Sequence, residues 1–275
     1  MITSTSNAQI KELAKLQKKS RLRDERRIFL VEGPRMVEEI PKERIERLYI
    51  SESFERKNPA YIRELGMPAE VLSDPVFSYV SDTKNPQGIL AVVKRLEYTM
   101  EDVLGKSALK CEEKEKNPEN HQIRVPHVIV LDNLQDPGNL GTIFRTAEAA
   151  GATGILLSSD SVDVYNPKVI RSTMGAVFRM PFFYVKDLPA AVKSLSSQGI
   201  RTYAAHLNGK NVYDEEDYTE GCAFLIGNEG NGLRDEVSEC ADCLIRIPMC
   251  GKAESLNAAV AAAVLMFEAG RQRRK

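Results

Sequence analysis

The sequence has no tryptophan and only three histidines, and its five cysteines are an odd number with no secretory leader before them. A disulfide framework is therefore not expected, and reduced thiols are. Cys240 and Cys243 form a lone CxxC, with only Cys250 near it and no histidine close by. Zinc wants further ligands at defined spacings, so structural thiols are the simpler reading and no metal is expected. No stretch approaches the roughly 20 apolar residues of a membrane span, and the N-terminus is polar and then basic. A cytoplasmic protein with no membrane contact follows. Charge of one sign is missing too: the net charge is −1, which argues against indiscriminate binding to polyanions. A dinucleotide fingerprint is also absent, since Pro137-Gly-Asn-Leu-Gly141 does not supply GxGxxG after a first strand, and a nicotinamide-dependent oxidoreductase is disfavoured.

What is present begins with length. A chain of 275 residues can bury a full core and is expected to hold two domains. Its charges are unevenly placed. Lys15, Lys18, Lys19, Arg21 and Arg23 lie in a run from Lys11 to Arg27 that has only Glu12, Asp24 and Glu25 against it, and the chain ends Arg271, Arg273, Arg274, Lys275. Basic ends on a neutral body suggest phosphate contacts, although a solvated amphipathic helix would show the same pattern.

Apolar periodicity predicts a helix over 6–19 with Ser6 or Asn7 as its cap, followed by a short basic link. Strands are expected at 28–31, 48–50, 70–72 and 88–93, with helices between them: a compact α/β unit over residues 1–100. Residues 111–122, with Glu112 to Lys116 and then Asn117-Pro118, show no apolar period, so 101–125 is expected to be a linker. From 126 to 275 short apolar runs alternate with helices, which implies a parallel sheet covered on both faces. Ligands bind off the carboxyl ends of such strands. Three loops qualify: 132–141, 227–232 and 248–255.

The first loop runs into a helix whose apolar face is Leu140, Ile143, Phe144 and Ala147. Asn139 would be its N-cap in the plainest reading, and Arg145, off the apolar face, would pair with Glu148. The second follows a buried strand with three glycines that let backbone approach a ligand. The third enters an alanine-rich helix with Leu256, Ala259, Val260, Ala263, Val264 and Phe267 at the spacing of one buried face. Ser255 is either a polar site residue or that helix's N-cap.

Taken together, Leu131-Asp-Asn-Leu-Gln-Asp-Pro-Gly-Asn-Leu-Gly-Thr-Ile-Phe-Arg-Thr-Ala147, Leu225-Ile-Gly-Asn-Glu-Gly230, and Ile247-Pro-Met249 through Glu254-Ser-Leu-Asn257 resemble the three motifs of the SpoU (TrmH-type) RNA methyltransferases of the SPOUT superfamily. The first domain resembles that family's L30e-like substrate-binding domain, through Phe29-Leu-Val-Glu-Gly33 and Gln87-Gly-Ile-Leu-Ala-Val92.

The resemblance implies a C-terminal α/β trefoil-knot domain, which rules of chain topology alone would have rejected, and a homodimer through it. It also implies S-adenosyl-L-methionine as methyl donor and a ribose 2′-hydroxyl of RNA as acceptor, ribosomal rather than transfer RNA by preference. Gly227, Ile247, Met249 and Leu256 would contact the donor; Asn139, Arg145, Glu229, Ser255 and Asn257 would form the catalytic, RNA-facing set. A guanidinium keeps its proton at any working pH, so Arg145 is expected to hold phosphate and stabilise developing charge rather than act as base. Glu229 is the other candidate base or an orienting group. The alternatives are a structured-RNA-binding protein without activity and a methyltransferase acting on a base nitrogen.

Overall fold

The computed structural model describes residues 1–106 and 125–274. The chain separates into two compact units that are not consecutive stretches: Met1–Glu97 with Asp163–Phe178, and Tyr98–Val162 with Arg179–Lys275.

In the first unit Asn7 caps the helix Ala8–Lys18, its side chain accepting from the Gln9 amide at 2.8 Å. Ile10, Leu13 and Leu16 make the buried face. The expected basic link is instead a second helix, Ser20–Arg26. Four strands follow, β1 (Ile28–Glu32), β2 (Ile45–Ser51), β3 (Glu70–Leu72) and β4 (Ile89–Lys94). They lie in the order β1-β4-β2-β3, antiparallel except for the β2–β3 pair. Side chains alternate across a strand, so Ile28 and Leu30 join the first helix in one core while Phe29 faces the other way. There it meets the inserted segment: its ring lies 4.7 Å from Tyr165 and 6.2 Å from Phe178, centre to centre. The Tyr165 hydroxyl donates to the Leu96 carbonyl at 2.9 Å and accepts from the Leu96 amide at 3.0 Å.

One expected RNA contact is corrected here. Arg23 is only 3 % exposed. Its guanidinium donates to the Leu16 carbonyl at 2.7 Å and pairs with Asp163 at 2.6 Å. A buried cation survives only when paired and hydrogen-bonded, so Arg23 fastens the inserted segment to the basic helices and is not available to phosphate. Lys15, Lys18, Lys19 and Arg21 are exposed, Arg21 in a surface pair with Glu25.

The second unit holds seven strands, β5 (His127–Leu131), β6 (Gly154–Ser158), β7 (Phe182–Val185), β8 (Arg201–Ala205), β9 (Asn211–Val212), β10 (Cys222–Ile226) and β11 (Cys243–Arg246). They form one parallel sheet in the order β7-β6-β5-β10-β8-β11-β9. The expected linker starts otherwise than its composition suggested: Met100–Val103 is a helical turn, and Val103 and Leu104 are buried in this unit's core. The 111–122 stretch lies outside the described residues.

The C-terminal helix, Ala258–Arg273, packs against the helix Pro137–Ala150 and against β10. Its buried face is Ala258, Ala259, Ala262, Leu265, Met266 and Ala269, not the expected one. Val260 and Phe267 are 48 % and 44 % exposed. The helix is apolar nearly all round, so the i, i+3, i+4 spacing fits more than one phase.

Its last turn closes the amino-terminal end of the sheet. The Arg273 guanidinium donates to the carbonyls of Tyr218 (2.8 Å), Val125 (3.1 Å), Pro126 (3.2 Å) and Glu220 (2.6 Å). Beside it His127 is buried, with no hydrogen-bond partner for Nε2 among the described residues. Burial, and then the Arg273 charge, push its pKa down to about 3. No helix among the described residues is long and apolar enough to cross a membrane.

Candidate functional site

β5 and β10 are parallel neighbours, so the loops that leave their carboxyl ends emerge side by side, where open parallel sheets take their ligands. In the first loop Asp136, not Asn139, is the N-cap: its side chain accepts from the Asn139 amide at 2.8 Å. Pro137 then starts the helix, as suits a residue with fixed φ and no amide hydrogen. Releasing Asn139 from the cap frees its side chain. Its Nδ2 donates to Glu229 at 3.0 Å, and its Oδ1 accepts from Asn257 Nδ2 at 2.9 Å.

Asn257, in turn, is the N-cap of the C-terminal helix, accepting from the Ala259 and Val260 amides at 2.9 and 3.3 Å. Ser255 is therefore not the cap and lies exposed in the loop before it. Glu229, Asn139 and Asn257 thus form one hydrogen-bonded chain that ties the first two loops to the cap of the C-terminal helix.

The Glu229 carboxylate also accepts from the backbone amides of Asp136 (3.0 Å) and Gln135 (3.2 Å). Its partial burial would raise its pKa, but the donors from Asn139, Asp136 and Gln135 outweigh that and hold it below the usual carboxylate value. Both oxygens are engaged and the proton affinity is low. As a base it is poorly suited; as the post that fixes Asn139 it is well placed.

Arg145 is on the exposed side of its helix. Its expected partner is taken, because Glu148 pairs with Arg179, Nη2 to Oε2 at 3.2 Å. No described residue bonds the Arg145 guanidinium, so it is free for an anion from outside.

In the second loop the backbone folds onto itself. Asn228 and Gly232 exchange amide-to-carbonyl bonds at 2.9 Å each way. A Cβ on Gly227 would lie 2.1 Å from the Gly232 carbonyl carbon and the Leu233 nitrogen, so no larger residue fits.

Sequence reasoning missed three groups here. Asn228 Nδ2 donates to the Asn133 carbonyl at 2.8 Å. The fully buried Asp132 carboxylate pairs with Arg234, its Oδ1 accepting from Nε at 2.8 Å. These partners are 95 and 102 positions apart, and only the adjacency of β5 and β10 could have suggested them.

The third loop is different. No hydrogen bond joins residues 247–256 to any other described residue. Ile247, Met249 and Leu256 are half-buried, the rest mostly exposed. Apolar side chains flanked by unpaired main-chain donors and acceptors suit an adenosyl group, whose ring needs apolar cover and whose edges need hydrogen bonds. The residues present fit the methyl donor, and no group of three or more candidate metal ligands occurs among the described residues.

Residues 126–267 match the SpoU rRNA Methylase family and residues 7–91 the MRM3-like substrate binding domain. The chain belongs to the SpoU methylase family. Among its SpoU relatives, the 23S rRNA (guanosine(2553)-2′-O)-methyltransferase RlmP of Bacillus subtilis is 33 % identical, over 97 % of both chains. The 23S rRNA (guanosine-2′-O-)-methyltransferase RlmB of Shewanella oneidensis is 31 % identical, covering 77 % of this chain and 81 % of that one. Two similar solved structures hold AdoMet. The rRNA methyltransferase of Sinorhizobium meliloti superposes with a TM-score of 0.79 at 30 % identity, over 98 % of this chain and 97 % of that one. AviRb of Streptomyces viridochromogenes gives 0.81 at 26 %, over 97 % and 98 %.

Proposed function

We propose that the protein transfers a methyl group from S-adenosyl-L-methionine to a ribose 2′-hydroxyl of ribosomal RNA, in the cytoplasm. The observation that carries this reading is the Glu229–Asn139–Asn257 chain, which joins the first two loops to the start of the C-terminal helix, while Arg145, on the same helix as Asn139, is left unpaired.

The donor, when bound, supplies an electrophilic methyl on a sulfonium. Gly227, Ile247, Met249 and Leu256 would hold it through main-chain groups and apolar cover. A 2′-hydroxyl is a weak nucleophile until its proton leaves. A guanidinium is no base at working pH, so the part of Arg145 is to grip an RNA phosphate and stabilise negative charge as it develops. Glu229, already saturated with donors, fixes Asn139, and Asn139 and Asn257 present their amides to the ribose. Ser255, unpartnered and exposed, supplies a further hydroxyl to the acceptor. The proton then leaves through a phosphate oxygen or water. Holding the reactants in line accounts for most of the acceleration.

Lys15, Lys18, Lys19 and Arg21 supply nonspecific grip on the RNA backbone, with a salt dependence to match. A homodimer is proposed on the Val260, Val264 and Phe267 stripe, which is apolar and partly exposed; Phe267→Asp should shift the protein to monomer in a sedimentation run. A trefoil knot is proposed because the last helix packs on β10, in the middle of the sheet, although β11, which precedes it, lies toward the β9 edge.

The test is calorimetric titration with S-adenosyl-L-methionine, followed by methyl transfer to total RNA and mapping of the product. RlmP and RlmB are both named for guanosine in 23S rRNA, so a 23S guanosine ribose is the first acceptor to look for. A methylated base nitrogen, or donor binding that never leads to transfer onto any RNA, would overturn the assignment.

A further inference from the structure

None of the roles above uses the ion pair at the root of the second loop, between the buried Asp132 and the partly exposed Arg234. Asp132 follows the last residue of β5, and its carboxylate is wholly shielded from solvent. One oxygen accepts the Arg234 backbone amide at 2.9 Å; the other accepts Arg234 Nε at 2.8 Å and also Nη2. The outer Nη1 faces Asp160 at 3.5 Å and Glu236 at 3.6 Å. Asp132 also donates its own amide to the Ile226 carbonyl at 2.9 Å. The loop 227–233 therefore begins on the main chain of Asp132 and ends on its side chain.

Between those two fixings the loop has little freedom left. The Asn228–Gly232 exchange closes it, and Gly227 lies directly under the Gly232–Leu233 peptide. A carboxylate this deeply buried needs its counter-charge in place, and the planar fork of arginine satisfies it in a way that a lysine point charge does not. The pair raises the proton affinity of Arg234 through its hydrogen bond to Asp132.

Resting on the reading of this site as a methyl-donor site, we propose that Arg234 is a positioning residue. With Asp132 it staples loop 227–233 into the one conformation in which the Gly227 main chain meets the donor, without itself touching donor or RNA. Its loss is felt in donor affinity more than in turnover. A residue that merely supported the fold would lower the melting temperature and the fraction of active protein, leaving the donor affinity of the folded fraction alone.

The experiment measures donor affinity by calorimetry, and donor KM and kcat with RNA, for the unaltered protein and for Arg234→Gln, Arg234→Lys, Asp132→Asn and the double variant Asp132→Asn/Arg234→Gln. Arg234→Gln should weaken donor binding at least about tenfold, with the larger part of the loss in donor KM rather than in kcat. Arg234→Lys should fall between it and the unaltered protein, and serves if Arg234→Gln does not fold. The double variant, whose two amides can pair, should bind donor better than Asp132→Asn alone. Donor affinity unchanged in both folded Arg234 variants, or a loss confined to kcat, would overturn the inference and leave the site's identity standing. Failure of the unaltered protein to bind the donor would overturn both.

Discussion

The two ends of the parallel sheet use arginines and buried polar groups in opposite ways. At the amino-terminal end Arg273 donates to four backbone carbonyls, and the neighbouring His127 and Cys222 are buried, the Cys222 thiol pushed up to about 12 by burial. The Arg273 guanidinium there is spent on the protein itself. At the carboxyl end two loops are tied to each other through Glu229 and Asn139, but Arg145, Ser255 and the whole of 247–256 are unpaired. One end is closed and the other is half-built. A chain that folds without a ligand and then binds one needs both, since recognition draws on hydrogen-bonding capacity that folding has left over.

The comparison predicts that substitutions at the two ends separate activity from stability. The largest effect is expected for Glu229→Gln, whose amide would turn a donor toward the Asp136 or Gln135 amide. Methyl transfer should fall by about 10²–10³-fold, the range seen when one preorganised polar group is removed, with the pH profile keeping its shape because Glu229 is not the titrating group. A flattened profile would return Glu229 to the role of base.

Arg273→Met should come next, destabilising the fold by about 2–4 kcal/mol because several carbonyls lose their donor at once, with transfer per folded molecule retained. A loss of activity as large as that of Glu229→Gln in folded Arg273→Met protein would break the distinction between the ends.

His127 gives a graded test. Its folded pKa, about 3, lies below the ordinary 6.5, so between those values the unfolded chain takes up a proton that the folded one refuses. Its contribution to stability is fully present above pH 6.5 and declines as pH falls toward 3, by about 1.4 kcal/mol per pH unit in the middle of the range. Chemical denaturation of His127→Leu between pH 4 and 7 should show a shallower slope; an unchanged slope would remove His127 as its source. The smallest effect on stability is expected for Ser255→Ala, within about 0.5 kcal/mol, while its transfer rate falls. A clear drop in melting temperature would mean that the third loop is fixed before ligand arrives.

Much of this site was legible because its chemistry is concentrated in short stretches. Asn139, Glu229 and Asn257 each fall in one of the three stretches that resemble the SpoU motifs, and the structure brings those three onto one another. Their bland roles were misassigned, since capping depends on where a helix starts and that varies by a residue or two: Asp136 and Asn257 are the caps, not Asn139 and Ser255. The phase of the C-terminal helix was not readable from an alanine-rich stretch apolar on all sides. Arg23 looked like its exposed neighbours because a charge run carries no record of a carboxylate 140 positions away. The Asp132–Arg234 pair was hidden for the same reason. Pairings that depend on strand order appear only once the order is known.

The inserted segment Asp163–Phe178 bears on how such proteins could be recombined. Its Tyr165 and Phe178 rings cover Phe29, and its Asp163 neutralises Arg23. The first unit is therefore not a detachable head. Grafting residues 1–97 onto a different methyltransferase would carry over a Phe29 ring without the two rings that cover it and a cation without its counter-ion, unless the recipient's own 163–178 stretch happened to match. Exchange of this unit between relatives must move two separate pieces of chain together, and that requirement ties its history to that of the unit that carries the three SpoU motifs.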